Sequence, residues 1–294
     1  MRTVQQYPGP RMTRNDVLAR MANVAKSEAV LRDALRALHG AGVDVMPLKG
    51  VLLRRVAYDD PAARTVGDVD LLVRGRDVRR AHEALVAAGF SVIFLEAGER
   101  ERCFRHPRHG MLVDLHWQLF YEDYFEFDAE GLFARASLDA TGFPTPVWRM
   151  SDRDLYAHVL AHAGFASWVV DNPRYDDIPR VAARLRLDPE ALAAHLAAHG
   201  MTRFARYALR AVIRATADPH SRAVLAALPK DPLGDALALA TLAAMPRLRA
   251  HPYLAYAPRR MLYRSAEAAV DNALILAGRG ARWLSRRGKR SAAP

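Results

Sequence analysis

The sequence predicts an α/β fold: a layer of strands and helices over residues 1–150, then an all-helical region over residues 151–294. Two observations carry this expectation. Through the first half, short apolar runs of strand length alternate with stretches whose apolar residues recur at helical spacing. After Pro144 and Pro146 the strand-like runs stop and only the helical periodicity continues.

Taken in order, residues 14–39 read as a helix that Thr13 or Asn15 can cap, with Val17, Met21, Val24, Leu31, Leu35 and Leu38 forming its apolar stripe. Gly40 and Gly42 end it. Val43–Leu48 reads as a short buried strand, Val51–Ala57 as a short helix, and Asp59-Asp60-Pro61 as a turn. Val69–Val73 is a second strand, Asp77–Ala88 a helix stopped by Gly89, and Phe90–Leu95 a third strand. Gly98–His109 is polar and reads as a loop, and Met111–Trp117 is a fourth strand. Helices are then predicted over Leu155–Ala166, Ala191–His199, Phe204–Thr216, Leu233–Met245 and Met261–Ala277, with Arg286–Pro294 disordered.

Composition narrows the functional classes. The 294 residues are 51% hydrophobic, enough for one large or two modest cores. The single cysteine, Cys103, has no partner within the chain for a disulfide or a cysteine-based zinc site, which predicts a reducing, cytoplasmic setting. As a nucleophile Cys103 ranks below a plain thiol. The polar N-terminus lacks the apolar core of a signal peptide, and no apolar stretch reaches the roughly 20 residues of a membrane span. The net charge of +11 lies almost entirely in the second half, concentrated beyond Met245 from Arg247 to Arg290. Such a region attracts polyanions, RNA among them, or is simply a solvated arginine-rich tail.

The chemistry is carried by acids. Asp68-Val69-Asp70 opens a strand, so Asp68 and Asp70 share one face while Val69 takes the core side. Two carboxylates so close repel each other unless a cation lies between them. Magnesium is a hard ion that takes one or two carboxylates plus phosphate oxygens, and manganese can replace it. On the fourth strand Asp114 and His116 share a face, with Leu115 opposite. Should the two strands be neighbours, three carboxylates converge, as a two-metal phosphoryl-transfer site requires. Upstream, Lys49-Gly50 lies at a strand-to-helix junction, where a close backbone approach, free N–H groups and an ammonium can meet phosphate. It is not the glycine-rich NTPase loop. Singly, each signal has a plainer reading: a surface pair, an ordinary turn, an edge-strand charge.

In combination the runs Pro47-Leu48-Lys49-Gly50-Val51-Leu52-Leu53, Arg64-Thr65-Val66-Gly67-Asp68-Val69-Asp70-Leu71-Leu72-Val73 and Val113-Asp114-Leu115-His116-Trp117 resemble a bacterial nucleotidyltransferase family of the DNA polymerase β superfold. The branch resembled has Lys-Gly where the superfamily has Gly-Gly or Gly-Ser, and the likeness spans roughly residues 40–180. It implies a mixed sheet flanked by helices and a nucleotidyltransferase domain over 1–150. It also implies magnesium on Asp68 and Asp70, and Asp114 as third acid and base. Lys49, Gly50, Arg64 and His116 would then meet the nucleotide, ATP being the leading donor.

Downstream, His158 and His162 lie one helical turn apart, followed by Asp176-Asp177-Ile178. Zinc would need further ligands, so packing or substrate contact is the plainer reading. Trp117 and Trp168 are base-stacking candidates or core residues. The resulting expectation is a nucleotidyltransferase acting on an RNA end, a peptide or protein, or a small-molecule hydroxyl or phosphate. Its rivals are a catalytically silent nucleotide- or RNA-binding module and an antitoxin-like regulatory partner. The presence of all three acids favours the enzyme.

Overall fold

A computed structural model describes residues 13–94, 100–120, 125–165 and 174–248. The chain divides into two units: Met1–Trp117 with Leu138–Arg149, and Gln118–Ser137 with Met150–Pro294.

The first unit begins with α1 (Arg14–Gly40), capped reciprocally by Thr13 and Asp16. Its predicted stripe is buried only from Ser27 to Leu38; Val17 and Met21 are exposed. β1 (Val45–Pro47) leads into α2 (Lys49–Val56), which starts two residues earlier than the apolar pattern indicated. Lys49 and Gly50 therefore form its first turn. β2 (Asp68–Val73), α3 (Val78–Ala87) and β3 (Ser91–Phe94) follow. Next comes β4 (Glu101–Arg105), within the stretch predicted to be a loop, and then β5 (Leu112–His116). β6 (Ser137–Asp139) and β7 (Val147–Arg149), which the sequence pattern did not announce, pair as a small separate ribbon.

The five main strands lie in the order β1-β2-β5-β4-β3. β2 and β5 are parallel and every other pair is antiparallel, so the sheet is mixed. The alternation of strand side chains divides the two faces. Val69, Leu71, Val73, Phe104, Val113 and Leu115 join Val30, Leu31, Ala34, Leu35 and Leu38 of α1 and Ala81 and Leu85 of α3 in one apolar core. Asp68, Asp70, Asp114 and His116 are left on the opposite face.

A buried polar clip sets where β2 begins. Arg54, 1% exposed, donates to Ser27 Oγ, Asn23 Oδ1 and the Arg64 carbonyl. The Asn23 amide pairs with Val66 in both directions, at 2.7 and 2.9 Å. A Cβ on Gly50 would come to 3.0 Å of Val66 Cγ2, so a small residue there lets this segment lie against α2.

The described part of the second unit is helical: α4 (Ala129–Arg135), α5 (Asp152–Phe165), α6 (Arg174–Arg184), α7 (Pro189–Ala198), α8 (Thr202–Thr216), α9 (Pro219–Ala227) and α10 (Pro232–Leu248). α4, α6 and α9 are additions to the sequence reading. Asp188-Pro189 and Asp218-Pro219 start α7 and α9, each aspartate capping the turn and each proline occupying its first position. α5 and α8 approach closely at Gly164, where a Cβ would meet the Phe204 ring at 2.8 Å and Ala208 at 2.9 Å. Phe204 belongs to an aromatic cluster with Phe125 and Phe165 at centroid distances of 5.2 and 4.8 Å. No helix among the described residues is long and apolar enough to cross a membrane. The helix expected over Met261–Ala277, the disordered end at Arg286–Pro294, Trp168 and most of the C-terminal arginines lie outside the described residues.

Candidate active site

The parallel register of β2 and β5 sets Asp70 opposite Asp114, Asp68 opposite Leu112 and Leu72 opposite His116. The antiparallel register of β4 and β5 adds Cys103 opposite Asp114 and Glu101 opposite His116. Cross-strand partners project to the same face. Asp68, Asp70, Asp114, His116, Glu101 and Cys103 are therefore gathered on one side of three adjacent strands. β1 runs antiparallel to β2, and the Leu48 N–H donates to the Asp70 carbonyl at 2.9 Å. This delivers Lys49 to the same place.

Asp70 is the hub. It is 2% exposed, and its Oδ1 accepts from Lys49 Nζ and, at 2.9 Å, from His116 Nε2. The other ring nitrogen of His116, Nδ1, lies 2.9 Å from Glu101 Oε2. His116 is held between two carboxylates: burial works against its charge, but the bonds to Asp70 and Glu101 outweigh that and raise its pKa, favouring the imidazolium. Burial also works against the Asp70 carboxylate, and the Lys49 charge and His116 bond reverse it, holding Asp70 well below the ordinary range. For Lys49, desolvation is likewise outweighed by Asp70, then Asp68 and Asp114, so its ammonium is retained. Glu101 is lowered chiefly by its bond to His116.

Asp114 shifts the other way. Burial raises its pKa, the charges of Asp70 and Glu101 add to this, and the Cys103 hydrogen bond and His116 offset only part. The Cys103 thiol donates to Asp114 and is pushed up to about 12, by burial first and then by that bond. It is a protonated donor, which removes the nucleophile reading.

Lys49 adopts a left-handed backbone, φ +46°, where a side chain costs about 1 kcal/mol relative to glycine. The unusual backbone is thus at Lys49 rather than at Gly50. The α2 N-terminus has no side-chain cap, so its first N–H groups are not satisfied in that way. The Arg64 carbonyl receives Arg54, and its Nη1 donates to the Thr65 carbonyl at 2.9 Å.

Whether a metal fits can be judged from the donor set. Ligand atoms of Asp70, Asp114 and His116 lie within 4.8 Å of one another. His116 has both nitrogens engaged, so the available donors are carboxylate oxygens, which suit a hard divalent ion. Four carboxylates, Asp68, Asp70, Glu101 and Asp114, face two cations, Lys49 and His116, an excess of negative charge that such an ion would offset. The residues fit a hard divalent ion.

Glu101 and Cys103 were missed from sequence, because they lie in the stretch read as a loop. Elsewhere, Trp117 packs on the core cluster, with the Arg102 guanidinium 5.7 Å from its ring centroid. In the second unit, His158 is buried beside the Phe120 ring, 6.1 Å between centroids. Asp154, His195 and His199 also bring ligand atoms within 4.8 Å of one another. There, however, Asp154 accepts two bonds from Arg135, one from Ser151 and one from His195, at 2.7–3.0 Å. Its oxygens are saturated, which marks an ion-pair hub and not a metal centre.

The family described as "Uncharacterised nucleotidyltransferase" matches residues 6–214, more than half of the chain. No curated protein matches. Among solved structures, the chain is similar to the antibiotic-resistance factor ANT(2'')-Ia at 18% identity and a TM-score of 0.44, over 59% of this chain and 91% of that one. It is also similar to the lincosamide antibiotic adenylyltransferase LnuA in its lincomycin-bound form, at 12% identity and a TM-score of 0.38, over 60% and 99% of the two chains. An antigenic nucleotidyltransferase-like protein from Paracoccidioides brasiliensis is 15% identical with a TM-score of 0.41, over 70% and 95%.

Proposed function

The chain belongs to this nucleotidyltransferase family, and from that premise we propose that it transfers a nucleoside monophosphate from a magnesium-bound triphosphate, with ATP as donor, to an acceptor hydroxyl or phosphate. The bond from the acceptor oxygen to the α-phosphorus forms as the bond to pyrophosphate breaks, and the acceptor's proton passes to Asp114. The observation that supports this reading is the register of β2 and β5, which brings Asp70 and Asp114 side by side.

Asp68, Asp70 and Asp114 would hold magnesium, or manganese in its place, and the bound ion would supply charge neutralisation at the phosphates and a more acidic acceptor oxygen. The other roles belong to the chain. The α2 N-terminus, with Lys49 and Gly50, receives the phosphates through backbone N–H groups and an ammonium. His116, tied to Glu101, fixes the Asp70 carboxylate rather than reaching the nucleotide itself. Cys103 fixes Asp114, whose raised pKa suits a proton acceptor. In this reading Arg64 is assigned to the phosphates as a supplementary cation, and the arginine-rich C-terminal region to the attraction of a polyanionic acceptor such as RNA.

The direct test incubates the protein with each α-labelled triphosphate and magnesium alongside RNA, protein and metabolite fractions. Label should enter one fraction, ATP being preferred, and chelator should stop it. Failure of every fraction to take up label from any triphosphate would sink the reading.

A further inference from the structure

Lys49 stands in two places at once: it is the ammonium assigned to the triphosphate, and it is the ammonium bonded to Asp70. Its contact is made to Oδ1, an oxygen His116 already serves. A divalent ion approaching the Asp68, Asp70 and Asp114 carboxylates therefore meets a positive charge fixed among them. Resting on the metal and triphosphate reading above, we propose that Lys49 is an exchangeable cation that couples the two ligands. On Asp70 it opposes a divalent ion arriving alone; drawn onto the triphosphate, it releases Asp70 to the ion.

Three features support exchange over a fixed strut. First, the departure of Lys49 does not strand Asp70, because His116 remains bonded to it and is itself anchored by Glu101. Second, the ammonium is carried on a flexible four-carbon stem as a point charge, which redirects more readily than a planar guanidinium. The side chain is 22% exposed, whereas Asp70 is 2% exposed, so Lys49 lies on the open side of the pair. Third, Lys49 is the first residue of α2, whose N-terminus has no side-chain cap and is the phosphate site of the proposed function. Coupling of this kind is reciprocal: the factor by which the triphosphate strengthens binding of the ion is the factor by which the ion strengthens binding of the triphosphate.

The strut and the exchangeable cation predict opposite signs. Lys49→Gly suits the left-handed backbone and removes the ammonium, and Lys49→Met removes the charge while keeping bulk. Manganese binding is read by electron paramagnetic resonance with no nucleotide, and Mg–ATP binding by calorimetry. Manganese alone should bind both variants about tenfold tighter or more than it binds wild type, while Mg–ATP binds them about tenfold weaker. Manganese binding that is unchanged or weaker in the variants overturns the proposal. In wild type, acylation of Lys49 by an amine reagent, followed by peptide mass, supplies a second readout that needs no variant. Manganese alone should speed it and Mg–ATP should slow it; a rate that manganese alone leaves unchanged also overturns the proposal. The two readings fail separately. If wild type binds neither manganese nor Mg–ATP, the functional reading falls. If Asp70→Asn abolishes manganese binding while Lys49→Gly leaves it unaltered, only the coupling falls.

Discussion

Asp70 and Asp114 are neighbours with opposite electrostatic fates, and their environments explain the division of labour. Asp70 is held as a carboxylate by Lys49 and His116, which suits a group that binds cations without taking up a proton. For Asp114, burial and the like charges of Asp70 and Glu101 outweigh the Cys103 hydrogen bond and the His116 charge, so its proton affinity is raised. Asp114→Asn keeps the shape and removes the charge. Triphosphate affinity should fall by less than about tenfold, roughly 1.4 kcal/mol, because Asp68 and Asp70 remain. Transfer should fall by about a hundredfold or more, the usual scale for losing a general base. Calorimetry and single-turnover label transfer measure the two, and a folded variant that transfers at near wild-type rate would remove Asp114 from the mechanism.

Among the elements, those with a clear burial period were legible, whereas β4, the short β6 and β7, and α4, α6 and α9 were not. α1, β2 and β5 follow from period alone, and with them the shared face of Asp68 and Asp70 and that of Asp114 and His116. β4 was hidden because Glu101 and Cys103 point to the site, leaving Phe104 as its one fully buried side chain. A strand whose inward positions are chemical looks polar, which is where local pattern is expected to fail. The Lys49–Asp70 pair has no local signal either, since it depends on β1 pairing with β2 and on a lysine in a conformation that favours glycine. Nor did periodicity mark Arg54, although it anchors the approach to β2. Arg54→Met should leave Ser27, Asn23 and the Arg64 carbonyl short of a donor and cost about 2–4 kcal/mol. Chemical denaturation should show a lower midpoint at unchanged slope, together with weaker triphosphate binding. In the helical unit, Gly164→Ala forces a methyl against the buried Phe204 ring and should cost about 1–3 kcal/mol in a thermal melt. An unshifted melt would show that α5 and α8 can separate freely.

For the whole molecule, charge sets two further expectations. Asp154 is fully buried, and although burial raises its pKa, the bonds from His195, Arg135 and Ser151 outweigh that and hold it at about 2, against an ordinary 3.8. A depressed carboxylate stabilises the fold fully above about pH 4, and the contribution, roughly 2 kcal/mol, disappears as pH falls through 2. Circular dichroism between pH 5 and 1 should show this acid loss of helix, and Asp154→Asn should flatten it while lowering stability at neutral pH; an identical acid slope in the variant would contradict the assignment. The C-terminal arginines should matter to polyanions and little to the triphosphate. Truncation after Gly278 should flatten the salt dependence of RNA binding, and indifference of the full chain to RNA at low salt would end that expectation. The strand order also governs how the sheet comes into being. β5, at its centre, is the last of the five strands to leave the ribosome. Until it does, the edges of β2 and β4 that it joins lack their partner, and an unpaired strand edge is prone to pair with the wrong neighbour. Insertion of β5 closes both edges and brings Asp114 to Asp70 in the same event, so a nascent chain that has not completed its sheet has no acid cluster to misuse.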